Sequence, residues 1–305
     1  MRRTASTIVA VAFSLALTLT ACGTSNPPAQ PAAGAAFPVT VGTVTLTQKP
    51  THIVSLSATA TEMLFAIDAG PQVIAVDDQS NYPANAPKTD LSGYKPNAEA
   101  IAAKQPDLVV ISDDIDHIVD QLRALKIPVY AAPAAKTLDD SYAQLGDLGK
   151  LTGHPQEATA LAQRMRDDIG KLVKEAPKRT PALKFYYELD DQYYSVTSKS
   201  FIGTLFASVG LTNIADGPGT ADNAYPQLSA ETILKANPDL VFLADTKCCG
   251  QSLATVGQRA GWGNLAAVKT GQVINLDDDI ASRWGPRVVD LMRAITDAMA
   301  KAPVN

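Results

Sequence analysis

Residues 155–175 read PQEATALAQRMRDDIGKLVKE, and the organisation of the chain turns on this stretch. Ala158, Leu161, Met165, Ile169, Leu172 and Val173 recur at three- and four-residue steps, which lays an apolar stripe along one face of a helix. Glu, Gln, Arg, Asp and Lys take the other face. Gly153 stops the segment before it, Pro155 suits a first helical turn, and Pro177 ends the run. At about 1.5 Å per residue such a helix is roughly 30 Å long, the width of a small domain.

Its flanks repeat one another. Residues 97–110 read NAEAIAAKQPDLVV and residues 229–243 read SAETILKANPDLVFL. Each copy holds a Glu, a short helical pattern, and Pro-Asp-Leu-Val opening an apolar strand. One copy on each side of a long helix predicts two similar α/β lobes joined by a rod. Strands alternate with helices through both halves, so each lobe is expected to hold a mostly parallel sheet covered on both faces. The expected division is residues 39–152 for the first lobe, 153–177 for the connecting helix and 178–305 for the second lobe.

The N-terminus reads differently. Arg2 and Arg3 precede an apolar run over residues 8–19, then Leu19-Thr20-Ala21-Cys22-Gly23. A positive start, a short apolar core and small residues make an export signal over residues 1–21, not a spanning helix. The Leu-x-Ala-Cys ending resembles the lipobox of bacterial lipoproteins. It implies that Cys22 takes a lipid and becomes the mature N-terminus, tethering the protein outside the cytoplasmic membrane. Residues 22–38 are rich in Ser, Asn, Pro, Gln, Ala and Gly and read as a flexible tether.

The totals narrow the function. At 305 residues the chain has room for one large or two ordinary domains, and its formal net charge is -5. A mildly acidic chain without a Lys/Arg block does not look like a nucleic-acid binder. His52, His117 and His154 sit on different elements, which speaks against a direct zinc or manganese carrier. Cys248 and Cys249 are adjacent, with no other Cys or His near them in sequence. They point to a vicinal disulfide or two buried thiols sooner than to a metal site. No Gly-x-Ser-x-Gly, phosphate-cradling Gly loop, His-Glu-x-x-His or Cys/His pair at useful spacing is present, so the chain is not expected to be an enzyme.

A family resemblance rests on Ile53-Val54-Ser55-Leu56-Ser57 with Thr61-Glu62, on Tyr82-Pro83, on the two Glu-containing units and the rod, and on Arg283-Trp284-Gly285-Pro286-Arg287. In their order and spacing these resemble the substrate-binding proteins of ABC importers for iron siderophores, haem and vitamin B12, the helical-backbone class. The likeness runs from about residue 50 to the C-terminus. It implies two Rossmann-like lobes, one long rigid helix between them and a ligand cleft where the lobes meet. Tyr225-Pro226-Gln227-Leu228-Ser229-Ala230-Glu231 is most similar to the vitamin B12 branch, whose pattern here is aromatic-Pro-Gln-hydrophobic-Ser-x-Glu. The resemblance departs at Tyr94 and Tyr225, where that branch's best-known member has tryptophans, and at Gln79, where it has a cleft tyrosine.

The implied ligand residues are Gln79, Tyr94, Tyr225, Asp279, Arg283 and Trp284. Two facing tyrosines can sandwich a flat macrocycle and keep their hydroxyls for hydrogen bonds. Tyr94 follows a glycine, as does the haem-ligating tyrosine of haem-binding members, so corrinoid, ferric siderophore and haem all stay open. Asp279 and Arg283 either grip an anionic or amide-bearing ligand or pair with each other to fix their loop. Glu99 and Glu231 correspond to the family's docking carboxylates, one per lobe, which meet the two subunits of a membrane permease driven by its ATPase. The expected ligand is a metal chelate, with a corrinoid favoured by the resemblance and a ferric siderophore or haem as the alternative. No cofactor, nucleic acid or oligomeric partner is implied.

Overall fold

The computed structural model of the protein describes residues 36–217, 220 and 222–303. The export signal, the lipidation site at Cys22 and nearly all of the tether lie outside these residues. Val39–Val41 (β1) and Val44–Leu46 (β2) form an antiparallel hairpin, as the Val/Thr alternation suggests.

The first lobe is built on β3 (Ile53–Leu56), β4 (Val73–Asp77), β5 (Lys88–Leu91), β6 (Leu108–Ile111) and β7 (Val129–Ala131). Their order across the sheet is β5-β4-β3-β6-β7, every pair parallel. Its helices are α1 (Ala58–Ala66), α2 (Ala98–Ala102), α3 (Ile118–Ala124) and α4 (Leu138–Thr152). The rod follows as α5 (Pro155–Glu175), with the bounds that its proline and apolar stripe predict.

The second lobe holds β8 (Lys184–Glu188), β9 (Thr212–Asn213), β10 (Leu240–Leu243) and β11 (Val273–Asn275). Its helices are α6 (Phe201–Ser208), α7 (Ala230–Ala236), α8 (Leu253–Gln258), α9 (Ala266–Lys269), α10 (Asp278–Ser282) and α11 (Val288–Lys301). The sheet order β9-β8-β10-β11 is again parallel and matches β4-β3-β6-β7 of the first lobe. Lys88-Thr89-Asp90 of β5 and Thr212-Asn213 of β9 carry no apolar run. Both are edge strands with solvent on one side.

The duplicated Pro-Asp-Leu-Val has a structural cause. The Asp107 carboxylate accepts the amides of Thr51 (2.7 Å) and His52 (2.9 Å), at the entrance of β3. Asp239 accepts the amide of Lys184 (2.8 Å), at the entrance of β8. In each lobe the aspartate before an inner strand therefore staples the neighbouring strand in register. Asn97 and Ser229 cap the two equivalent helices by accepting the amides of Ala100 and Thr232.

Ala158, Ala162, Met165 and Ile169 of α5 are buried, and Leu161, Leu172 and Val173 pack at the margin of the same core. That core is continuous. It runs from Ile53 and Leu108 of the first lobe through Met165 to Leu291 of α11 and on to Phe185 and Leu240 of the second. Each buried side chain of the size of Met165 or Ile169 contributes about 1.5–3 kcal/mol. The lobes are thus held together by α5 and by the packing of α11 as well.

Candidate ligand-binding site

Open parallel sheets bind ligands beyond the carboxyl ends of their strands. In the first lobe Tyr94 stands three residues past β5. The Ser92 hydroxyl accepts the amides of Tyr94 and Lys95, both at 3.3 Å, and folds the turn. Gly93 is the residue that lets this turn lie down: a Cβ there would meet the Leu56 carbonyl oxygen at 2.8 Å and Asp77 Oδ2 at 2.9 Å. The turn rests on the ends of β3 and β4, and the Tyr94 side chain projects outward, 72% exposed.

In the second lobe, residues 224–227 run antiparallel to residues 194–197. Ser195 donates its amide to the Pro226 carbonyl (2.9 Å) and Thr197 to that of Ala224 (2.9 Å). Asn223 Oδ1 accepts the Tyr225 amide at 2.9 Å. This ladder fixes the backbone of Tyr225, which is 52% exposed. Tyr94 and Tyr225 thus lie in equivalent positions, each ahead of its capped helix. Tyr82, which follows β4, and Tyr194, which follows β8, are also exposed and extend the aromatic surface of these loops. Nothing in the local sequence of Tyr194 separates it from an ordinary loop tyrosine.

The segment expected at the rim does something different. Arg283 is only 8% exposed and its terminal nitrogens are engaged within the protein. Nη1 donates to Glu62 Oε1 (2.8 Å) and Asn81 Oδ1 (3.0 Å); Nη2 donates to the Gln79 carbonyl (2.9 Å) and Asp279 Oδ1 (2.7 Å). Three of these four acceptors belong to the first lobe. Arg287 adds two bonds to Glu62, at 2.9 and 2.5 Å, and stacks over the Tyr82 ring at 4.3 Å. Glu62, itself 2% exposed, is therefore a buried carboxylate clamped by two arginines of the opposite lobe.

Asp279 joins the same network. Its Oδ2 accepts from Asn81 Nδ2 (2.9 Å) and Lys247 Nζ (2.7 Å). Burial pushes its carboxyl up, but Lys247, Asn81 and Arg283 together hold it below the ordinary carboxylate range. Gln79 takes part through its carbonyl, and its side chain is exposed. Trp284 is held within the protein: its indole N–H donates to Gln144 Oε1 (2.8 Å), its carbonyl accepts from Ser141 (2.5 Å), and its ring packs against the main core. Residues 277–286, read from sequence as a polar loop, contain the short helix α10 because Asp277 caps the amides of Asp279 and Ile280. Glu99 and Glu231 are exposed in the first turns of α2 and α7.

A second acidic cluster sits at the ends of β8 and β10. Arg259 grips Glu188 with two bonds, at 2.7 and 2.6 Å, and lies over the rings of Tyr193 and Trp262. Asp245 is fully buried beside Glu188, and neither of its carboxylate oxygens receives a hydrogen bond. Burial and the Glu188 charge push Asp245 up to about 7, so this carboxyl pair favours holding a proton. Cys248 and Cys249 follow on the next turn as free thiols, Cys248 exposed and Cys249 half-buried. Among the described residues no group of three or more His, Cys, Asp or Glu could hold a metal ion, and no helix is long and apolar enough to cross a membrane.

A family model described as periplasmic binding protein matches residues 53–280. The chain belongs to that family. A cobalamin-binding protein of Halobacterium salinarum is 29% identical over 310 residues, covering 96% of this chain and 84% of the relative. An ABC transporter substrate-binding lipoprotein of Bacillus subtilis is 26% identical over 277 residues, covering 86% of each. Among solved structures, the periplasmic haem-binding protein of Vibrio cholerae superposes with a TM-score of 0.72 at 21% identity, covering 81% of this chain and 98% of that one. That likeness is one of fold. The family's two-lobed architecture with a cleft between lobes is the one built here by the two parallel sheets and α5.

Proposed function

We propose that this periplasmic binding protein is the lipid-anchored substrate-binding subunit of an ABC importer, and that it captures a cobalt corrinoid. The observation that carries the reading is the pair Tyr94 and Tyr225, two exposed aromatic side chains that each stand just ahead of the equivalent capped helix of their lobe. Flat phenol rings suit a macrocycle, and their hydroxyls suit its amide fringe. The name of the Halobacterium salinarum relative favours a corrinoid over a ferric siderophore or haem.

Gln79, whose carbonyl joins the inter-lobe network and whose side chain is exposed, and Asp279 within that network supply polar groups for such a ligand. Arg283 and Trp284 contribute by holding that edge in place. Cys22 carries the anchor, at the end of the leader over residues 1–21 and ahead of the tether over residues 22–38. The lobes at residues 39–152 and 178–305 flank the connecting segment 153–177. Glu99 and Glu231 present one carboxylate per lobe to the permease dimer. The unbroken α5 and the Glu62 clamp favour a small change of lobe angle on capture, because bending the rod would cost main-chain hydrogen bonds.

The test is tryptophan fluorescence of the full chain in detergent, titrated with cobalamin, a panel of ferric siderophores and haem. Saturable quenching by cobalamin alone, weakened at least about tenfold in a Tyr94→Ala/Tyr225→Ala double variant, supports both ligand and site. Quenching by haem or a ferric chelate alone keeps the transport role and removes the corrinoid.

A further inference from the structure

The arginines around the seam between the lobes are spent inside the protein. Arg283 and Arg287 are committed to Glu62, Asn81, Asp279 and the Gln79 carbonyl. Arg259 lays both terminal nitrogens on Glu188, and Nη2 also donates to Gln251 Oε1 at 2.7 Å. The side chains of Arg283, Arg259 and Arg287 are 9%, 14% and 16% exposed, so none turns its planar fork outward to grip a carboxylate or phosphate. The lysines there are engaged as well. Lys247 bridges Asp277 (2.8 Å) and Asp279 (2.7 Å), and Lys199 reaches Asp222 at 3.3 Å. Lys95, beside Tyr94, and Lys136, ahead of α4, are the other lysines on the loops that follow the strands.

The carboxylates of the same loops stand outward. Asp78 after β4, Asp113 and Asp114 after β6, and Asp191 after β8 are exposed. Asn81, just past β4, donates to Asp279, just past β11, so the carboxyl ends of the two sheets adjoin at the seam. The exposed Tyr94 and Tyr225 stand on loops of these same two sheet ends. Charges of one sign around a cleft add, and its low-dielectric walls concentrate their field. An anionic group that enters finds no free guanidinium and an unfavourable potential. A neutral amide or a cation meets no such opposition.

We propose that the site carried by Tyr94 and Tyr225 selects its ligand by charge: it takes neutral or cationic chelates and turns away anionic ones, with Asp78 of the first lobe and Asp191 of the second as specificity-determining residues. This rests on the corrinoid reading of the same site and deepens it. A macrocycle with free carboxylates, or a siderophore that holds iron through several carboxylate or catecholate groups, carries net negative charge and is opposed by the field. A cobalt(III) corrinoid fringed with amides is neutral, or cationic when water takes an axial position, and suits it.

The experiment uses the full chain in detergent and a series of corrinoids that differ by single charges. Aquocobalamin at about pH 6 is the cation, cyanocobalamin the neutral form, and a cyanocobalamin monocarboxylate, with one side amide hydrolysed, the anion. Fluorescence quenching is titrated at about 20 mM and about 500 mM salt, which moves the screening length from roughly 20 Å to roughly 4 Å. At low salt wild type is expected to bind cation, neutral form and anion in that order of affinity, with steps of about threefold or more, and high salt is expected to shrink the steps below about 1.5-fold. In Asp78→Lys/Asp191→Lys the low-salt order flattens or reverses, while the affinity for cyanocobalamin stays within about threefold of wild type. Equal affinities at low salt, or a preference that neither salt nor the double variant alters, overturns charge selection and leaves the corrinoid reading standing. Failure of all members of the series to bind wild type overturns the corrinoid reading and the charge selection with it.

Discussion

Arg283 of the second lobe donates to Glu62 of the first at 2.8 Å, and both side chains are buried. Taking two charges out of water is costly, and it is offset here only because Arg287, Asn81, Asp279 and the Gln79 carbonyl complete the hydrogen bonds. Removing one partner leaves the rest buried and uncompensated. Glu62→Gln strands two arginines and is expected to lower stability by about 3 kcal/mol. Urea unfolding checks it: a loss below about 0.5 kcal/mol would mean that the clamp is energetically neutral. Asp290→Asn, whose partner Arg293 is exposed, is the matched control and should cost less than about 1 kcal/mol.

Gly93 and Gly146 make opposite predictions. A Cβ at Gly93 collides with the Leu56 carbonyl and Asp77, whereas one at Gly146, inside α4, meets nothing within 4 Å. Gly93→Ala is therefore expected to destabilise by about 1–3 kcal/mol and to weaken ligand quenching, because the Tyr94 turn must lift off the strand ends. Gly146→Ala is expected to stabilise by about 0.5–1 kcal/mol, since alanine loses less backbone freedom on entering a helix. Thermal melts of both variants give the signs directly. Matching signs would contradict the assignment of Tyr94 to a close-packed turn.

The repeat and the rod were legible because their signals are local. The apolar stripe of α5 sits at helical spacing, and LVV and LVF are runs that belong in sheets covered on both faces. The equivalence of Tyr94 and Tyr225 followed from the same repeat. The clamp was not legible. Glu62 and Arg283 are 221 residues apart, and a charged residue on a short helix reads from sequence as a surface group. The partner of Trp284 was hidden for the same reason: Gln144 lies on α4 of the other lobe, 140 residues away. Asp107 and Asp239 looked like ordinary residues before strands, and only the sheet reveals them as staples for the strands beside them.

Glu99 and Glu231 stand exposed, one on each lobe. If they dock on a permease, their charge matters only in the assembled transporter. Glu99→Lys with Glu231→Lys is expected to leave ligand quenching within about twofold of wild type and to cut binding-protein-stimulated ATP hydrolysis by about tenfold. Each single reversal should give an intermediate loss, since each lobe would lose one contact. The check is ATPase stimulation in a reconstituted transporter. Undiminished stimulation by the double variant would remove both residues from the docking surface.

Asp245 makes the protein's stability depend on pH in a defined direction. Its carboxyl moves from the ordinary 3.8 to about 7 on folding, chiefly through burial and then through Glu188, with Arg259 acting the other way from its place on Glu188. Tyr186, Tyr187 and Cys248 are the further titratable neighbours, and the ionisation of each is pushed up. Between those two values the folded protein holds a proton that the unfolded chain has lost. The native state therefore loses stability as pH rises through this interval, by up to roughly 1.4 kcal/mol per pH unit, and the penalty is complete above about 7. Asparagine at this position cannot ionise and keeps a donor for Glu188. The stability difference between Asp245→Asn and wild type should then swing in favour of the variant by a few kcal/mol between about pH 4 and pH 8. Comparing urea midpoints at the two ends isolates this residue, because the other titrating groups are common to both proteins. A difference that stays constant with pH would mean that Asp245 is ionised in the folded state throughout, and that a donor other than its own proton satisfies the buried pair.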